Sequence, residues 1–369
     1  MAKSFTMAST VKNLSRHLAA LSVFSLVSTL PALAAPDVVA SVAPVHSIAA
    51  AIMKGVGTPH LLIPSSASPH SADLRPSGAR ALQDADLVFW VGPRIEAFLV
   101  KPLNTLAANA KAIPMIDAEG MTLLPVRSGS NWEKHTHAHD DDHEHEHEHE
   151  HEDHDDHEHE GHEHEGHEHE DHDKEGHEHA AEEHDHDAHD HDHDEASVMD
   201  NHIWLSPDNG LAMAAAITKA LSEADPDNAQ IYAANSKALT AEIKAASEEA
   251  KSLLADHKTA PFMVFHDAYQ YFEAAFDVSA IGSITLTPGV NPGAARIKEI
   301  KEKLDHLGVA CLMSEPQFSS RITTILVEGT KTRQGLLDPI GKELTEGPTL
   351  YPELIRYNAR QLAGCLKGA

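Results

Sequence analysis

The sequence is poor in cysteine and in long apolar stretches. Its two cysteines, Cys311 and Cys365, are far apart and no C-x-x-C pair occurs, so a compact thiolate metal site is not indicated. Outside residues 135–195, where repeated His-Glu alternation matches it by composition alone, the H-E-x-x-H signature of zinc metalloproteases is absent, which argues against a secreted zinc hydrolase. The apolar run at residues 18–33 is shorter than the roughly 20 residues of a membrane span. A membrane anchor is therefore not expected.

The amino terminus has the pattern of an export signal. Basic residues precede the apolar run, and the Ala32-Leu33-Ala34 triplet fits the A-x-A cleavage rule, so residues 1–34 are predicted to be a cleaved signal peptide. We expect the mature chain to be free in a bacterial periplasm, because an outer barrier would retain a diffusing exported binder. In that oxidising compartment the Cys311 and Cys365 pair favours a disulfide, with metal ligation as the alternative.

Residues 135–195 hold most of the charge and most of the histidine. They contain 23 of the 31 histidines, almost every one next to an acidic residue, and they contribute −28 of the net charge of −30. With hardly any apolar side chain, this tract is predicted to be disordered. Imidazole suits zinc, copper, nickel and iron, so we interpret the tract as a weak metal binder. A purely solubilising polyanion is the alternative.

The remaining residues show strand-like and helix-like segments in alternation. This alternation is typical of an α/β fold with mainly parallel sheets. The chain is long enough for two domains, and we predict two β/α lobes, each with a four-stranded sheet. The predicted strands are residues 38–42, 60–63, 87–91, 112–116, 262–265, 280–284, 309–314 and 334–337. The predicted helices are residues 44–53, 76–84, 95–108, 207–224, 226–257, 291–304 and 319–330.

A segment that contains no glycine or proline after Pro226 divides the two lobes. Residues 35–224 are predicted to form the N-terminal lobe, residues 225–258 a connecting helix, and residues 259–369 the C-terminal lobe. The helix would extend roughly 48 Å. Its apolar positions are too sparse for a coiled coil, so we interpret it as a rigid connector. The segment around Cys365 is treated as a tail without predicted structure.

Three histidines outside the tract lie at the boundaries of predicted elements. His70 is in a loop after a strand, His202 directly precedes a helix, and His266 ends a strand. Ligands of α/β sheets bind beyond the carboxyl ends of strands, and loops there carry function. Any one of these histidines could be structural, as we expect for His46 and His60. The three together indicate a metal site.

These histidines lie in motifs that resemble a known family. The motifs are S-P-H-S-A-D-L-R-P-S, D-N-H-I-W-L-S-P, V-F-H-D-A-Y-Q-Y-F, N-P-G-A-A-R, S-E-P-Q-F and L-D-P-I-G. Over nearly the whole mature chain, the sequence is similar to the metal-specific substrate-binding proteins of bacterial ABC importers, solute-binding family 9, and to their zinc-binding periplasmic members. The resemblance implies two α/β lobes joined by a long helix, a metal site in the cleft between them, a Cys311–Cys365 disulfide and no enzyme activity.

The resemblance also implies a ligand set. The family ligands fall on His70, His202 and His266, and Asp338 occupies the position of an acidic fourth ligand in manganese-binding relatives. Those relatives carry a carboxylate where this chain has His266, so the imidazole favours Zn²⁺. The fourth ligand is Asp338, water or a histidine of the tract. We expect Asp73 and Asp267 either to orient ligand imidazoles or to be solvated.

The implied partner is the membrane permease of a zinc ABC importer, with an auxiliary periplasmic metallochaperone as a further partner. We expect a monomer with no nucleic-acid partner. The tract would concentrate zinc near the cleft. Because imidazole must be neutral to bind, zinc affinity should fall below about pH 6. The alternative function is storage or buffering of nickel, copper or zinc in the periplasm.

Overall fold

The computed structural model describes residues 35–127, 198–285 and 293–367. The predicted signal peptide and the histidine-rich tract lie outside the described residues, as does the predicted helix start at residues 291–292. Within the described ranges the chain forms two parallel four-stranded sheets flanked by helices. The predicted α/β fold class with two such sheets is therefore confirmed.

The first sheet is built from the amino-terminal half of the chain, and all its strand pairs are parallel. Its strands lie in the order β2-β1-β3-β4. The inner strands β1 and β3 are fully buried, as their continuous apolar sequence predicts. The strands are β1 (Val38–Val42), β2 (His60–Ile63), β3 (Leu87–Trp90) and β4 (Lys111–Pro114).

The second sheet repeats this arrangement in the carboxyl-terminal half. Its order is β6-β5-β7-β8, again with parallel neighbours. The strand order reverses between β5 and β7, so the carboxyl ends of these two strands border a crevice where ligands of such sheets bind. The strands are β5 (Phe262–His266), β6 (Ala280–Thr285), β7 (Cys311–Ser314) and β8 (Arg333–Leu336).

Nine α-helices occur within the described residues, and the longest runs along several others. Helix α5 packs against α1, α4 and α9, and its buried side chains belong to one apolar core that includes residues of both sheets. The helices are α1 (Ala43–Ile52), α2 (Pro76–Asp84), α3 (Ala97–Thr105), α4 (Pro207–Ala224), α5 (Ala229–Leu254), α6 (Gln270–Phe276), α7 (Ala294–His306), α8 (Arg321–Val327) and α9 (Leu350–Leu366).

The long helix is shorter than predicted. Residues Pro226–Asn228 form a separate 3₁₀ turn, in which the Asp225 carboxylate accepts hydrogen bonds from the Asn228 amide and the Tyr232 hydroxyl. The α-helix itself has 26 residues, about 39 Å at the usual rise. The predicted long helix is thus present, but its first turn is replaced by a side-chain-supported turn.

The carboxyl-terminal segment, for which no element is predicted, is helical. Helix α9 buries an apolar face that includes Leu354, Ala359 and Leu362, and it packs on α5 and β8. Cys365 near its end is bonded to Cys311 at the start of β7, which confirms the disulfide. The helical apolar spacing was present in the sequence but was not recognised.

The two ends of the histidine-rich insertion are held together. Val126 N–H donates to the Val198 carbonyl and Asp200 N–H donates to the Leu124 carbonyl, around an antiparallel bridge between Pro125 and Met199. We call these paired segments, residues 124–127 and 198–200, the stem.

In the described ranges no helix is both long and apolar enough to cross a bilayer.

Candidate metal centre

The three predicted histidines converge on one point. One ring nitrogen from each of His70, His202 and His266 lies within 4.8 Å of the others, and this is the one such group among the described residues. The His70 and His202 Nε2 atoms are 3.1 Å apart, and the ring centroids are 5.2 to 5.5 Å apart. Residues separated by up to 196 positions in the chain thus form a single cluster of nitrogen donors.

Each histidine is placed by a different local structure. His266 is the last residue of β5, at the point where the strand order reverses. His70 lies in the 3₁₀ turn Pro69–Ser71 after β2, and His202 lies two residues after the stem and directly before the 3₁₀ turn Ile203–Leu205. His202 and His266 are 6% and 3% exposed, whereas His70 is only partly buried. The cluster is therefore reachable from solvent on the His70 side.

Two carboxylates orient the buried imidazoles. Asp200 Oδ1 is 2.7 Å from His202 Nδ1, and Glu315 Oε1 is 2.6 Å from His266 Nδ1. Since the carboxylates accept from Nδ1–H, the Nε2 lone pairs of His202 and His266 are left for a cation. Glu315 follows β7, the strand next to β5, which explains why it reaches His266.

Sequence reasoning did not assign these two carboxylates, and it suggested two others. Asp267 is instead held by the Arg127 guanidinium, and Asp73 is exposed to solvent, which agrees with the second alternative given for it. The D-N-H and S-E-P-Q-F motifs that contain Asp200 and Glu315 were visible in the sequence. Only the pairing of β5 with β7 shows that Glu315 is the closer partner of His266.

The electrostatics of the site favour a positive charge at His266. Burial of the ring opposes protonation, but the nearby carboxylates, Glu315 first and then Asp267 and Asp200, together outweigh burial and raise the pKa of His266 above its usual value. The pKa of the Tyr269 hydroxyl is also raised, first by burial and second by the Glu315 carboxylate. The Asp200 and Glu315 carboxylates thus place two negative charges behind the imidazoles, on the side away from the centre of the cluster. They would balance the charge of a divalent cation.

The Asp338 carboxylate accepts hydrogen bonds from its own loop and from Gln317. It is fully buried, its Oδ1 accepts from the backbone N–H of Ile340 and Gly341, and its Oδ2 accepts from Glu343 N–H. Oδ1 also accepts from the Gln317 side chain at 2.8 Å. Asp338 is not part of the three-histidine group. Its carboxylate stabilises the loop after β8.

Several contacts tie the metal-binding segments to one another. Arg127 in the stem pairs with Asp267 and with Glu273, whose carboxylate also accepts from Ala280 N–H. The Tyr271 hydroxyl donates to the Asp200 carbonyl and accepts from Leu124 N–H. The stem that leads to His202 is thereby fixed to α6 and to the loop that follows His266.

A second set of contacts holds the loop that leads to His70. Ser65 donates from both its N–H and its hydroxyl to Glu346 Oε1, each at 2.8 Å, and its carbonyl accepts from the Gln317 amide. Glu346 lies in the segment between β8 and α9, so the loop after β2 is connected to the second half of the chain. The position of His70 relative to His266 depends on this connection.

The pocket around the histidines is small and largely apolar at its rim. The Trp204 ring meets His202 edge-on, its Nε1–H donates to the Pro339 carbonyl, and the Phe318 ring lies edge-on to His266 while stacking on Phe265. The residues that line it are Ser68, Pro69, His70, His202, Trp204, His266, Glu315, Gln317, Phe318, Pro339 and Ile340. Such walls limit the water around a bound ion, which strengthens the electrostatic attraction to it.

Three imidazole nitrogens with carboxylates behind them suit zinc. Zinc takes tetrahedral nitrogen donors, whereas manganese prefers oxygen. The family model for the periplasmic zinc-uptake complex component A, ZnuA, matches residues 38–365. The chain belongs to this family.

Known proteins resemble the chain over most of its length. The high-affinity zinc uptake system protein ZnuA of Brucella abortus is 47% identical over 329 residues, which are 89% of this chain and 91% of that protein. ZnuA of Paracoccus denitrificans is 40% identical, over 92% of this chain and 94% of its own length. A crystal structure of a ZnuA superposes with a TM-score of 0.63 at 22% identity, over 89% of this chain and 98% of that one. This last likeness shows that the fold is shared.

Proposed function

We propose that this chain captures Zn²⁺ in the periplasm and delivers it to the membrane permease of an ABC importer. The observation that carries the proposal is the convergence of His70, His202 and His266 with a buried carboxylate behind two of them. Family membership supports the same function, since the relatives are named for zinc uptake. The protein acts as a carrier and not as an enzyme.

Zinc binding joins the two halves of the chain. His70 and His202 belong to the proposed N-terminal lobe at residues 35–224, and His266 to the proposed C-terminal lobe at residues 259–369, with residues 225–258 connecting them. The bound ion adds a link between these lobes, in addition to the ion pairs of the stem and the hydrogen bonds between Ser65 and Glu346. Release to a permease requires that His70, the least buried ligand, move away from the other two.

The remaining parts of the proposal concern the environment of the chain. Residues 1–34 direct export, and the tract at residues 135–195 gathers zinc near the pocket and raises its local concentration. The mature protein works as a monomer without a membrane anchor, and an auxiliary metallochaperone of the periplasm shares its metal. The short distance between the two ends of the insertion, set by the stem, supports removal of the tract without loss of the fold.

Calorimetric zinc titration tests this function. The mature chain, a variant lacking residues 135–195, and each of these with His202→Ala are compared, with His257→Ala as a control outside the cluster. The importer component keeps one tight site when the tract is removed and loses it with His202→Ala. Loss of nearly all zinc capacity on tract removal would favour the storage alternative, with nickel and copper titrated in parallel.

A further inference from the structure

The pocket contains a polar group that neither the ligand cluster nor the two carboxylates account for. Gln317 lines the same pocket as the three histidines, and its Oε1 atom is buried without a hydrogen-bond partner within the described residues. A buried amide oxygen without a donor costs roughly 1–3 kcal/mol. Such an atom in a ligand pocket points to a partner that arrives with the ligand.

The orientation of the Gln317 amide is fixed by its other end. Nε2 donates to Asp338 Oδ1 at 2.8 Å and to the Ser65 carbonyl at 3.4 Å. Both partners can only accept, so the nitrogen must occupy that position and the oxygen must occupy the other. Asp338, whose oxygens also hold three backbone N–H groups, is thus a rigid support for Gln317.

Two other buried atoms of the pocket residues have no hydrogen-bond partner within the described residues, and each has another role. His266 Nε2 is one of the three nitrogens of the cluster. Glu315 Oε2 belongs to the carboxylate beside His266, and the Tyr269 hydroxyl, which also has no hydrogen-bond partner within the described residues, interacts with that carboxylate and can donate to it. Gln317 Oε1 is the acceptor that remains for a small molecule in the pocket.

We propose that Gln317 Oε1 accepts a hydrogen bond from a water molecule in the fourth zinc position and so holds that water in place. The inference rests on the proposed zinc-binding function. Three protein nitrogens leave one tetrahedral position, and a water on zinc is a strong donor that needs an acceptor. Asp338 supports this acceptor and does not bind the ion. An exchangeable fourth ligand also lets a carrier release its ion by moving only three side chains.

The test replaces Gln317 with methionine, which has similar length and no hydrogen-bonding oxygen. Gln334→Met, at an exposed position of β8, is the matched control. Zinc affinity of the full mature chain is measured by chelator competition. In parallel, less than one equivalent of Co²⁺ fills the tightest site, and azide is titrated against the visible Co²⁺ absorption. Circular dichroism of the metal-free proteins checks folding.

We expect opposite changes in the two affinities. Loss of the Gln317 Oε1 acceptor should weaken the zinc affinity of Gln317→Met about tenfold. This is the low end of the effect that hydrogen-bond partners of metal ligands have on metal affinity. Azide should bind its cobalt form several-fold more tightly than the wild type, because displacement of the water no longer breaks a hydrogen bond. The Gln334→Met control should match the wild type in both. A general loss of structure would weaken both affinities together.

Two results would overturn the inference. If azide leaves the wild-type Co²⁺ spectrum unchanged, the fourth ligand is a protein group such as Asp338 or a tract histidine. This measurement uses the wild-type protein alone. Equal azide affinity of Gln317→Met and wild type would show that Gln317 does not hold the fourth ligand. Either result leaves the proposed function intact provided that His202→Ala still abolishes tight zinc binding.

Discussion

Glu315→Gln provides a sharp test of how the buried carboxylates support zinc binding. Glu315 is 2% exposed, and its Oε1 is 2.6 Å from His266 Nδ1. Glutamine keeps an acceptor of the same shape but removes the negative charge behind the imidazole. Partners of this kind typically contribute tenfold to hundredfold in metal affinity, or about 1.4–2.8 kcal/mol. We expect a loss in this range at pH 8.

The pH dependence of the loss has a defined sign. In the zinc-free wild type Glu315 raises the pKa of His266, so protons compete with zinc as the pH falls toward and below the usual histidine range. In the variant, burial remains without the carboxylate, so the pKa of His266 falls and proton competition weakens. The affinity difference between wild type and variant should therefore narrow from pH 8 to pH 6.

Chelator competition between pH 6 and pH 8 measures this difference. Glu302→Gln on α7 is the control, because it makes the same charge change at a side chain that is 68% exposed. A Glu315→Gln variant with wild-type affinity at pH 8, or with a deficit that grows on acidification, would refute the reasoning. In that case the carboxylate would serve only the packing of the pocket.

Three further predictions concern stability and release. Arg127→Met leaves two buried carboxylates without their cation and should lower the free energy of unfolding by about 3–5 kcal/mol; a loss below about 1 kcal/mol in urea unfolding contradicts this. Glu346→Ala removes the hydrogen bonds that hold the loop before His70, so zinc should dissociate about fivefold faster with little change in the thermal midpoint of unfolding. Stopped-flow mixing with a chelator measures the dissociation rate, and an unchanged rate would show that other contacts hold the loop. Burial raises the pKa of Glu96 to about 7, so its stabilising contribution is present below the ordinary value of 4.5 and is lost as the pH rises through 7. Glu96→Gln should therefore gain about 3 kcal/mol of stability relative to the wild type between pH 4.5 and pH 8; a pH-independent difference in thermal unfolding contradicts this.

Much of the fold was predictable from local pattern. The buried strands β1, β3 and β5 have continuous apolar sequences that few other structures accommodate, and the predicted bounds agree with the structure to within a residue or two. Helix α4 begins at a proline after a serine cap, whose hydroxyl accepts from Asn209 N–H. Helix α9 was missed although Leu354, Ala359 and Leu362 have helical spacing, because the segment was treated as a tail.

The chemistry of the site was only partly predictable. Loop and strand-end positions of His70, His202 and His266 singled them out, and the structure brings them together. Asp338 was selected from a resemblance, and its role as a ligand stays a prediction. The structure shows that its oxygens hold backbone N–H groups and Gln317.

The strands and helices, the reactive side chains and the charge follow from sequence pattern, since these depend on residues close together in the chain. Tertiary structure alone decided which carboxylate stands behind which imidazole, because β7 pairs with β5 and so brings Glu315 to His266 across 49 positions. It likewise decided that Gln317 faces the pocket while Asp338 supports it. Contacts between distant segments depend on strand order and packing, and no local pattern encodes them.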